Sequence, residues 1–376
     1  MNKTKRLPAV SAGRLGFSIL GTGCILLLLF CADSAVESVK SGLVLCGKTV
    51  IPALFPFMVV SELLVGCGGA AALGQLLSKP LQKLLGVPGA AACPILLGAL
   101  CGFPTGARSM AALYDKGALT SRQCTRLLTF INNPSSAYMV SAVGVSLLGS
   151  RRLGILLYGI SIFCALLTAF ITRLIMPPDK SNAPQPKPQP VRLGADVFTN
   201  AVTGAAQSML AVCAYVLFFS AILGALESVC TRLPLPAPLG AMLYGAVEMS
   251  GGIARAVKIG DSTQAAMLCA ALSCFSGISV MCQIMTVCHG RGFRFLPYFL
   301  AKLAQGILAA ALCGLALRYL FPLLPPENVH ASLLLPESTT QLLSHAVNTG
   351  FLLSCAALAL SKPKNSSHRR PAPDIY

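Results

Sequence analysis

The stretch that decides the fold runs from Gly98 to Leu148 and contains Gly102-Phe-Pro-Thr-Gly-Ala-Arg108 and Asn132-Asn-Pro-Ser-Ser136. Both segments interrupt apolar sequence with glycine, proline and polar side chains. In lipid every backbone N–H and C=O group must be paired within the protein, so a helix can break only where it is buried or lines a wet cavity. The stretch therefore predicts broken helices or re-entrant hairpins rather than a simple bundle.

The second half of the chain contains a matching pair of interruptions, Glu248-Met-Ser-Gly-Gly252 and Phe275-Ser-Gly-Ile-Ser279. The two breaks are separated by the same 28 residues in each half, from Pro104 to Asn132 and from Glu248 to Ser276. Interrupted apolar segments at corresponding positions are the best sequence indication of a transporter's binding site. The sequence predicts an all-α polytopic membrane protein with two pseudo-repeated halves, broken helices and re-entrant hairpins.

The composition supports the membrane assignment independently. Hydrophobic residues make up 55% of the chain and charged residues only 11%, whereas a soluble domain carries about 25% charged residues. A bilayer needs roughly 17–25 apolar residues per helical span. The clearest runs of that length are Leu15–Ala32, Leu153–Met176, Met209–Leu226 and Leu303–Phe321.

The net charge of +17 does not indicate a nucleic-acid partner. The lysines and arginines lie in short loops and tails, where membrane proteins place them on the cytoplasmic side. Both termini are basic, so we expect both to be cytoplasmic in a multi-pass inner-membrane protein whose main surroundings are the lipid bilayer.

Four regions are predicted along the chain. The proline-rich stretch Pro177–Pro190 should be an extended, solvated connection. It divides a first membrane half with one copy of the repeat, 1–177, from a second half with the other copy, 195–361, with 178–194 as the linker and 362–376 as a basic tail.

The sequence shows no carrier of enzymatic chemistry. The 16 cysteines lie mainly inside apolar runs and form no Cys-x-x-Cys motif, and the four histidines are scattered. Buried cysteines of this kind behave as small apolar side chains. We expect that the protein is not an enzyme and has neither a cofactor nor a metal site.

The candidate substrate-binding residues all lie in or beside the four breaks. Half-helix N-termini there would offer unpaired N–H donors and partial positive charge, which suit polar or anionic solutes. The predicted residues are Pro104, Thr105, Gly106, Arg108, Asn132, Asn133, Ser135, Ser136, Glu248, Ser250, Gly251, Ser276, Gly277, Ser279 and Gln283.

Three charged residues and one polar segment have alternative interpretations. Glu248 would be a substrate or cation ligand, a proton carrier, or a structural partner of a base such as Arg255, and Glu62 is a second acid of this type. Arg108 would hold a carboxylate by two parallel hydrogen bonds, or would extend to the headgroups. The Asn132–Ser136 segment would be either a deep break or a surface loop; apolar flanks on both sides favour the break.

These motifs resemble a known family. Gly102–Arg108, followed by Leu127-Leu-Thr-Phe-Ile-Asn-Asn-Pro134, is similar to the sporulation integral membrane proteins of the nucleoside-recognition (Gate) family. Leu54-Phe-Pro-Phe57 and Gly277-Ile-Ser-Val280 with Gln283 are similar to further parts of the Gate pattern. The resemblance implies a bacterial inner-membrane protein whose fold is distantly related to concentrative nucleoside transporters.

The resemblance also implies a function. It points to transport of a small polar or anionic solute by alternating access: export of dipicolinic acid, a flat dicarboxylate, during spore formation, or movement of a nucleoside-like solute. Coupling to H⁺ or Na⁺ through Glu248 is a further hypothesis, and the oligomeric state stays open. The alternatives are a non-transporting scaffold or assembly factor for sporulation, and a membrane enzyme acting on lipids.

Overall fold

The computed structural model describes residues 12–176, 194–230 and 235–320. The proline-rich stretch 177–190, the tail 362–376 and the orientation of the termini lie outside these ranges. The described residues form helices and connecting turns without a strand, so the predicted all-α fold is confirmed.

Fourteen α-helices lie within the described ranges. They are α1 (Ala12–Phe30), α2 (Ala32–Leu45), α3 (Ile51–Gly66), α4 (Gly69–Leu85), α5 (Ala92–Leu100), α6 (Thr105–Asp115), α7 (Ser121–Ile131), α8 (Arg151–Ile175), α9 (Ala195–Cys230), α10 (Ala237–Val247), α11 (Met249–Ala256), α12 (Ser262–Phe275), α13 (Gly277–Cys288) and α14 (Leu296–Tyr319). Two π-helical segments, Cys46–Val50 and Tyr138–Leu147, and a 3₁₀ turn, Gly89–Ala91, complete the described elements.

Four described helical segments are long and apolar enough to cross a bilayer, by length and composition: Arg151–Ile175, Ala195–Val229, Ser262–Cys288 and Leu296–Tyr319. Two bent pairs would raise the number to six: Gly21–Phe30 with Ala32–Lys48, at 95°, and Gln75–Leu85 with Gly89–Leu100, at 99°. The predicted first span Leu15–Ala32 therefore ends at Phe30, where the chain turns sharply into α2.

Two helical hairpins are built by close glycine contacts. Hairpin 1 consists of α5 and α6, and its arms touch so closely that a methyl group on Gly106 would lie 2.8 Å from Cα of Gly98. Hairpin 2 consists of α10 and α11, where a methyl group on Gly252 would lie 2.1 Å from Cα of Gly245. Because no side chain separates these backbones, each short helix packs directly on its partner and turns back at a tip.

Each hairpin is followed by a broken helix. The first consists of α7, a break at residues 132–136 and the π-helical segment Tyr138–Leu147. The second consists of α12, a break at Ser276 and α13. A long helix then returns through the structure in each half, α8 in the first and α14 in the second, so the predicted repeat is present as hairpin, broken helix and return helix.

The two repeats run in opposite directions. The carboxyl end of α6 meets the carboxyl end of α13. Arg291 donates to Asp115 at 2.7 and 2.8 Å, and Tyr114 stacks edge-on against Phe293. Hairpin 1 therefore enters from the side on which the second broken helix ends. Hairpin 2 shares a buried cluster with the Tyr138–Leu147 segment, so it enters from the other side.

A second group of helices flanks the repeats. α2 and α3 both pack along α9, and a methyl group on Gly224 of α9 would lie 2.8 Å from the carbonyl oxygen of Ser34. We call α2, α3 and α9 the scaffold. It contacts the repeats mainly through α6, α10 and α13.

The glycine contact in hairpin 2 gives a stability prediction. Gly252→Ala should lower the free energy of unfolding by about 1–3 kcal/mol, because the added methyl group overpacks a contact made by rigid backbone. Gly240→Ala is the matched control in α10, since open space surrounds its Cβ position and alanine is the better helix former. Thermal melting in detergent checks both variants; equal midpoints would show that the hairpin does not depend on this contact.

Candidate functional site

The tip of hairpin 1 lies against the first break. The N–H of Phe103 donates to the carbonyl oxygen of Asn133 at 3.0 Å, and the Ser136 hydroxyl donates to the carbonyl oxygen of Leu100 at 3.3 Å. Gly102 has a φ of +80°, and a methyl group there would lie 2.6 Å from the nitrogen of Ser135. Glycine is required at this position by both its backbone conformation and the space available.

The tip of hairpin 2 meets the second break in the same way. Ser276 and Gly277 both have a φ of 76°. A methyl group on Gly277 would lie 3.0 Å from the carbonyl oxygen of Gly245 and 3.1 Å from the nitrogen of Met249. The left-handed turn at Ser276, which is fully buried, thus fits directly under the tip that carries Glu248.

The two tip-and-break pairs are joined at the centre. The side chain of Tyr138, just past the first break, lies beside Ser250 and Glu248 at the tip of hairpin 2. Phe103, at the tip of hairpin 1, packs against both of the large buried clusters. The four breaks predicted from sequence therefore meet in one region.

Two half-helices begin at this centre without a side-chain cap. These are α6 and α13, which pack side by side and run outward in the same direction, so their N-termini are adjacent. Each first turn contains a buried hydroxyl without a hydrogen-bond partner, Thr105 in α6 and Ser279 in α13. Uncapped helix N-termini attract negative charge, and a buried polar group without a partner costs free energy. We call this pair of N-termini the open pair.

The other two half-helix N-termini are already capped. The Glu248 carboxylate accepts from the N–H of Ser250 at 3.0 Å and from that of Gly251 at 2.6 Å. The Ser135 hydroxyl accepts from the N–H of Tyr138 at 3.1 Å. Glu248 thus supplies a negative group from within the chain to the N-terminus of α11. Arg255 is not its partner, because it bonds to Glu227 at 2.5 Å.

The two asparagines of the first break cap the carboxyl end of α7. The Asn132 amide donates to the carbonyl oxygen of Leu128 at 3.2 Å, and the Asn133 amide donates to that of Phe130 at 2.9 Å. One N–H of each amide is therefore used by the helix. The side-chain oxygen of Asn132 stays buried without a partner.

A cavity of about 300 Å³ lies beside the centre, between α3, α6 and the outer end of α13. Arg108 lines it and is the one predicted site residue that does so. Its guanidinium is paired with Glu62 across the cavity at 2.8 Å. At the outer rim Asp115 accepts from Arg291, whose hydrogen bonds and charge hold the pKa of the carboxyl below its usual value. Opposite charges therefore line the cavity in two pairs.

The remaining predicted residues lie at the same centre. Pro104 and Gly106 form the junction between the tip of hairpin 1 and α6, and Gln283 is buried in the second turn of α13. The Ser276 hydroxyl donates to the carbonyl oxygen of Ser273 at 3.5 Å. Within residues 12–176, 194–230 and 235–320, no group of side chains is arranged to hold a metal ion.

Sequence reasoning missed a buried polar cluster behind the breaks. Lys302 of α14 is fully buried and donates to the Gln305 side-chain oxygen at 2.9 Å. The Gln305 amide in turn donates to the carbonyl oxygen of Thr129 at 2.9 Å and to the Thr168 hydroxyl at 3.0 Å. The available signal was a lysine followed three residues later by a glutamine inside an apolar run, a spacing that places both on one helix face.

A family of known proteins matches part of the chain. Residues 48–176 match the Gate family, described as nucleoside recognition. The match covers hairpin 1, the first broken helix and α8, so the resemblance seen in the first-half motifs is confirmed. No solved structure matches the chain significantly.

A curated relative extends the similarity beyond the Gate region. The chain is 27% identical over 312 residues to sporulation integral membrane protein YlbJ of Bacillus subtilis (strain 168), an alignment that covers 74% of this chain and 76% of that protein. Together with its apolar helices, this similarity supports a multi-pass integral membrane protein.

The capping role of Asn132 can be tested. Asn132→Ala should lower the free energy of unfolding by about 1–3 kcal/mol, because the carbonyl oxygen of Leu128 loses its partner in a buried position. Asn200→Ala is the matched control, since Asn200 is exposed on α9 and the chemical change is identical. Thermal melting of both purified variants is the measurement; a loss no larger than that of the control would contradict the cap.

Proposed function

We propose that this chain is a secondary transporter that binds a small anionic solute at the open pair and moves it by alternating access. The observation that carries the proposal is the open pair itself. Two half-helix N-termini lie together deep in the protein, each with a buried hydroxyl that lacks a partner. Such a place favours an anion whose oxygens accept from backbone N–H groups and hydroxyls.

The internal carboxylate of Glu248 supports an anionic solute. At the equivalent N-terminus of α11 it accepts two backbone N–H bonds. In the repeat Glu248 corresponds to Pro104, which has no group to offer α6. A carboxylate of the solute would therefore fill at α6 the position that Glu248 fills at α11.

Arg108 favours a solute with a second negative group. It lies one turn beyond Thr105 on α6 and faces the cavity. Its present partner Glu62 lies on the scaffold helix α3, about one-third exposed. A dicarboxylate would reach the open pair with one group and compete with Glu62 for Arg108 with the other. Dipicolinic acid, a flat dicarboxylate, is the solute we propose, in the setting of spore formation that the YlbJ similarity suggests.

Polar contacts join the repeats to the scaffold, alongside apolar packing of α3 against hairpin 1. Glu62 of α3 pairs with Arg108 of α6, and Tyr215 of α9 hydrogen-bonds with Thr286 of α13. Both bonds would break and re-form if the hairpins and broken helices shifted against α3 and α9. Movement of the repeats against a scaffold would expose the centre to each side in turn.

Solute binding can be measured as a shift in the melting temperature of the purified protein. Dipicolinate should raise it more than nucleosides do, and simple dicarboxylates should lie between. Thr105→Val and Ser279→Ala should each weaken dipicolinate binding about 10-fold or more, since a hydrogen bond to a charged group contributes about 1.5–3 kcal/mol. The matched controls are Thr203→Val and Ser146→Ala, which alter exposed residues.

The controls and a flux assay separate the alternatives. A shift with nucleosides but none with any anion would contradict an anionic solute. Uptake of dipicolinate into proteoliposomes should exceed that into protein-free vesicles, and absence of uptake with every solute tested would favour the non-transporting scaffold.

Coupling is tested through Glu248, the one acid that the described residues place at the breaks. Glu248→Gln keeps the size of the side chain but removes the charge and the titratable oxygen, and its single acceptor oxygen can serve only one of the N–H groups of Ser250 and Gly251. If Glu248 carries the coupling proton, the variant should lose the dependence of flux on the proton gradient while keeping exchange between equal solute pools. Flux measured at several proton and sodium gradients checks this; unchanged gradient dependence would end the hypothesis.

A further inference from the structure

The polar cluster behind the breaks joins the carboxyl ends of two half-helices. Gln305 of α14 reaches the carbonyl oxygen of Thr129, in the last turn of α7. Lys302, bonded to Gln305, lies within electrostatic reach of Cys274, in the last turn of α12. A methyl group on Gly306 would lie 3.0 Å from the carbonyl oxygen of Ala271, which shows how closely α14 approaches that end.

Helix carboxyl ends carry partial negative charge, and inside a membrane no water screens it. In transporters with broken helices such ends often coordinate sodium ions together with unwound carbonyl groups. Here two of these ends converge on the same short stretch of α14. The charge they present needs a positive partner, and the buried side chain at that place is a lysine.

The groups facing Lys302 leave it without an ion-pair partner. The thiols of Cys164 on α8 and Cys274 on α12 are its titratable neighbours. Arg126 of α7 is directed to the carbonyl oxygens of Leu85 and Gly86. No salt bridge between a carboxylate and Lys302 occurs in the part of the chain that the structure describes. A charge at membrane depth costs at least a few kcal/mol and is usually functional.

We propose that the Lys302 ammonium is a tethered cation that holds the carboxyl ends of α7 and α12 together in place of an inorganic cation such as sodium. It is a positioning residue, since it acts on the breaks through the two half-helices. The inference rests on the proposed transport function and deepens it: a chain that carries its own cation at this place does not require sodium there.

Chemical rescue tests the proposal without any solute. Lys302→Ala removes the cation and opens space, so ethylammonium chloride should raise its melting temperature by about 2–4 °C relative to choline chloride at equal ionic strength. The wild-type protein and Lys302→Met, whose side chain refills the space without a charge, should not respond. Lys258→Ala, at an exposed turn, is the matched control.

The outcomes decide the proposal. Rescue of Lys302→Ala by ethylammonium or sodium, but not by neutral n-propanol, supports it, because a merely structural loss would not depend on the charge of the added molecule. Equal responses to n-propanol and the cations, or no response at all, would overturn it. If Lys302→Ala cannot be purified, the melting temperatures of Lys302→Arg and Lys302→Met are compared. A higher melting temperature for Lys302→Arg supports the proposal, and equal melting temperatures overturn it.

A flux measurement keeps the two proposals distinguishable. With wild-type protein, replacing sodium by choline should leave solute uptake unchanged, and a loss of uptake in choline would overturn the tethered-cation role. If no solute is taken up under any condition the transport proposal fails, whereas the melting experiment still decides the role of Lys302.

Discussion

The pairing of backbone groups at broken helices is the constraint on which the rest of this structure depends. A break deep in a membrane frees N–H groups at one end and carbonyl groups at the other, and lipid satisfies neither. The carbonyl end of α7 is satisfied by side chains, the amides of Asn132, Asn133 and Gln305. One pair of amino ends is satisfied by Glu248 and Ser135. The other is left open, and there a solute has something to contribute.

The inverted repeat explains why the polar residues differ so much in role. An inverted repeat places equivalent backbone around one centre, but equivalent side chains need not be kept. Glu248 stands where the first repeat has Pro104, so one amino end carries its own anion and the other does not. The two hairpins therefore differ in charge at the centre: hairpin 2 carries a negative group at its tip and hairpin 1 does not.

The breaks were predictable because glycine, proline and asparagine interrupt long apolar runs at equal spacing, and this pattern can be read from the local sequence alone. Whether a break turns the chain back or lets it continue was not predictable, since that depends on contacts such as Gly245 with Gly252 between helices. The sequence could not show that the amide donors of Asn132 serve α7, because any donor near a break has either use. Lys302 was not predicted as a buried residue, because a lysine beside an apolar run usually lies at the membrane–water interface. Its burial is visible only in the structure.

Charge balance links these separate features. With Glu248 ionised, a dianionic solute at the open pair would bring three negative groups close together at membrane depth, where each unpaired charge costs several kcal/mol. Arg108 offsets one of them if it exchanges Glu62 for the solute, provided that Glu62, which is about one-third exposed, is then solvated by water. Lys302 is the one other buried base joined to the breaks by the described hydrogen bonds. Neutralising what is left requires a proton on Glu248 or on the solute. For the proposed transport of a dianion, entry together with a proton would bring the loaded centre close to neutral, so that it crosses the low-dielectric region with the least loss of solvation.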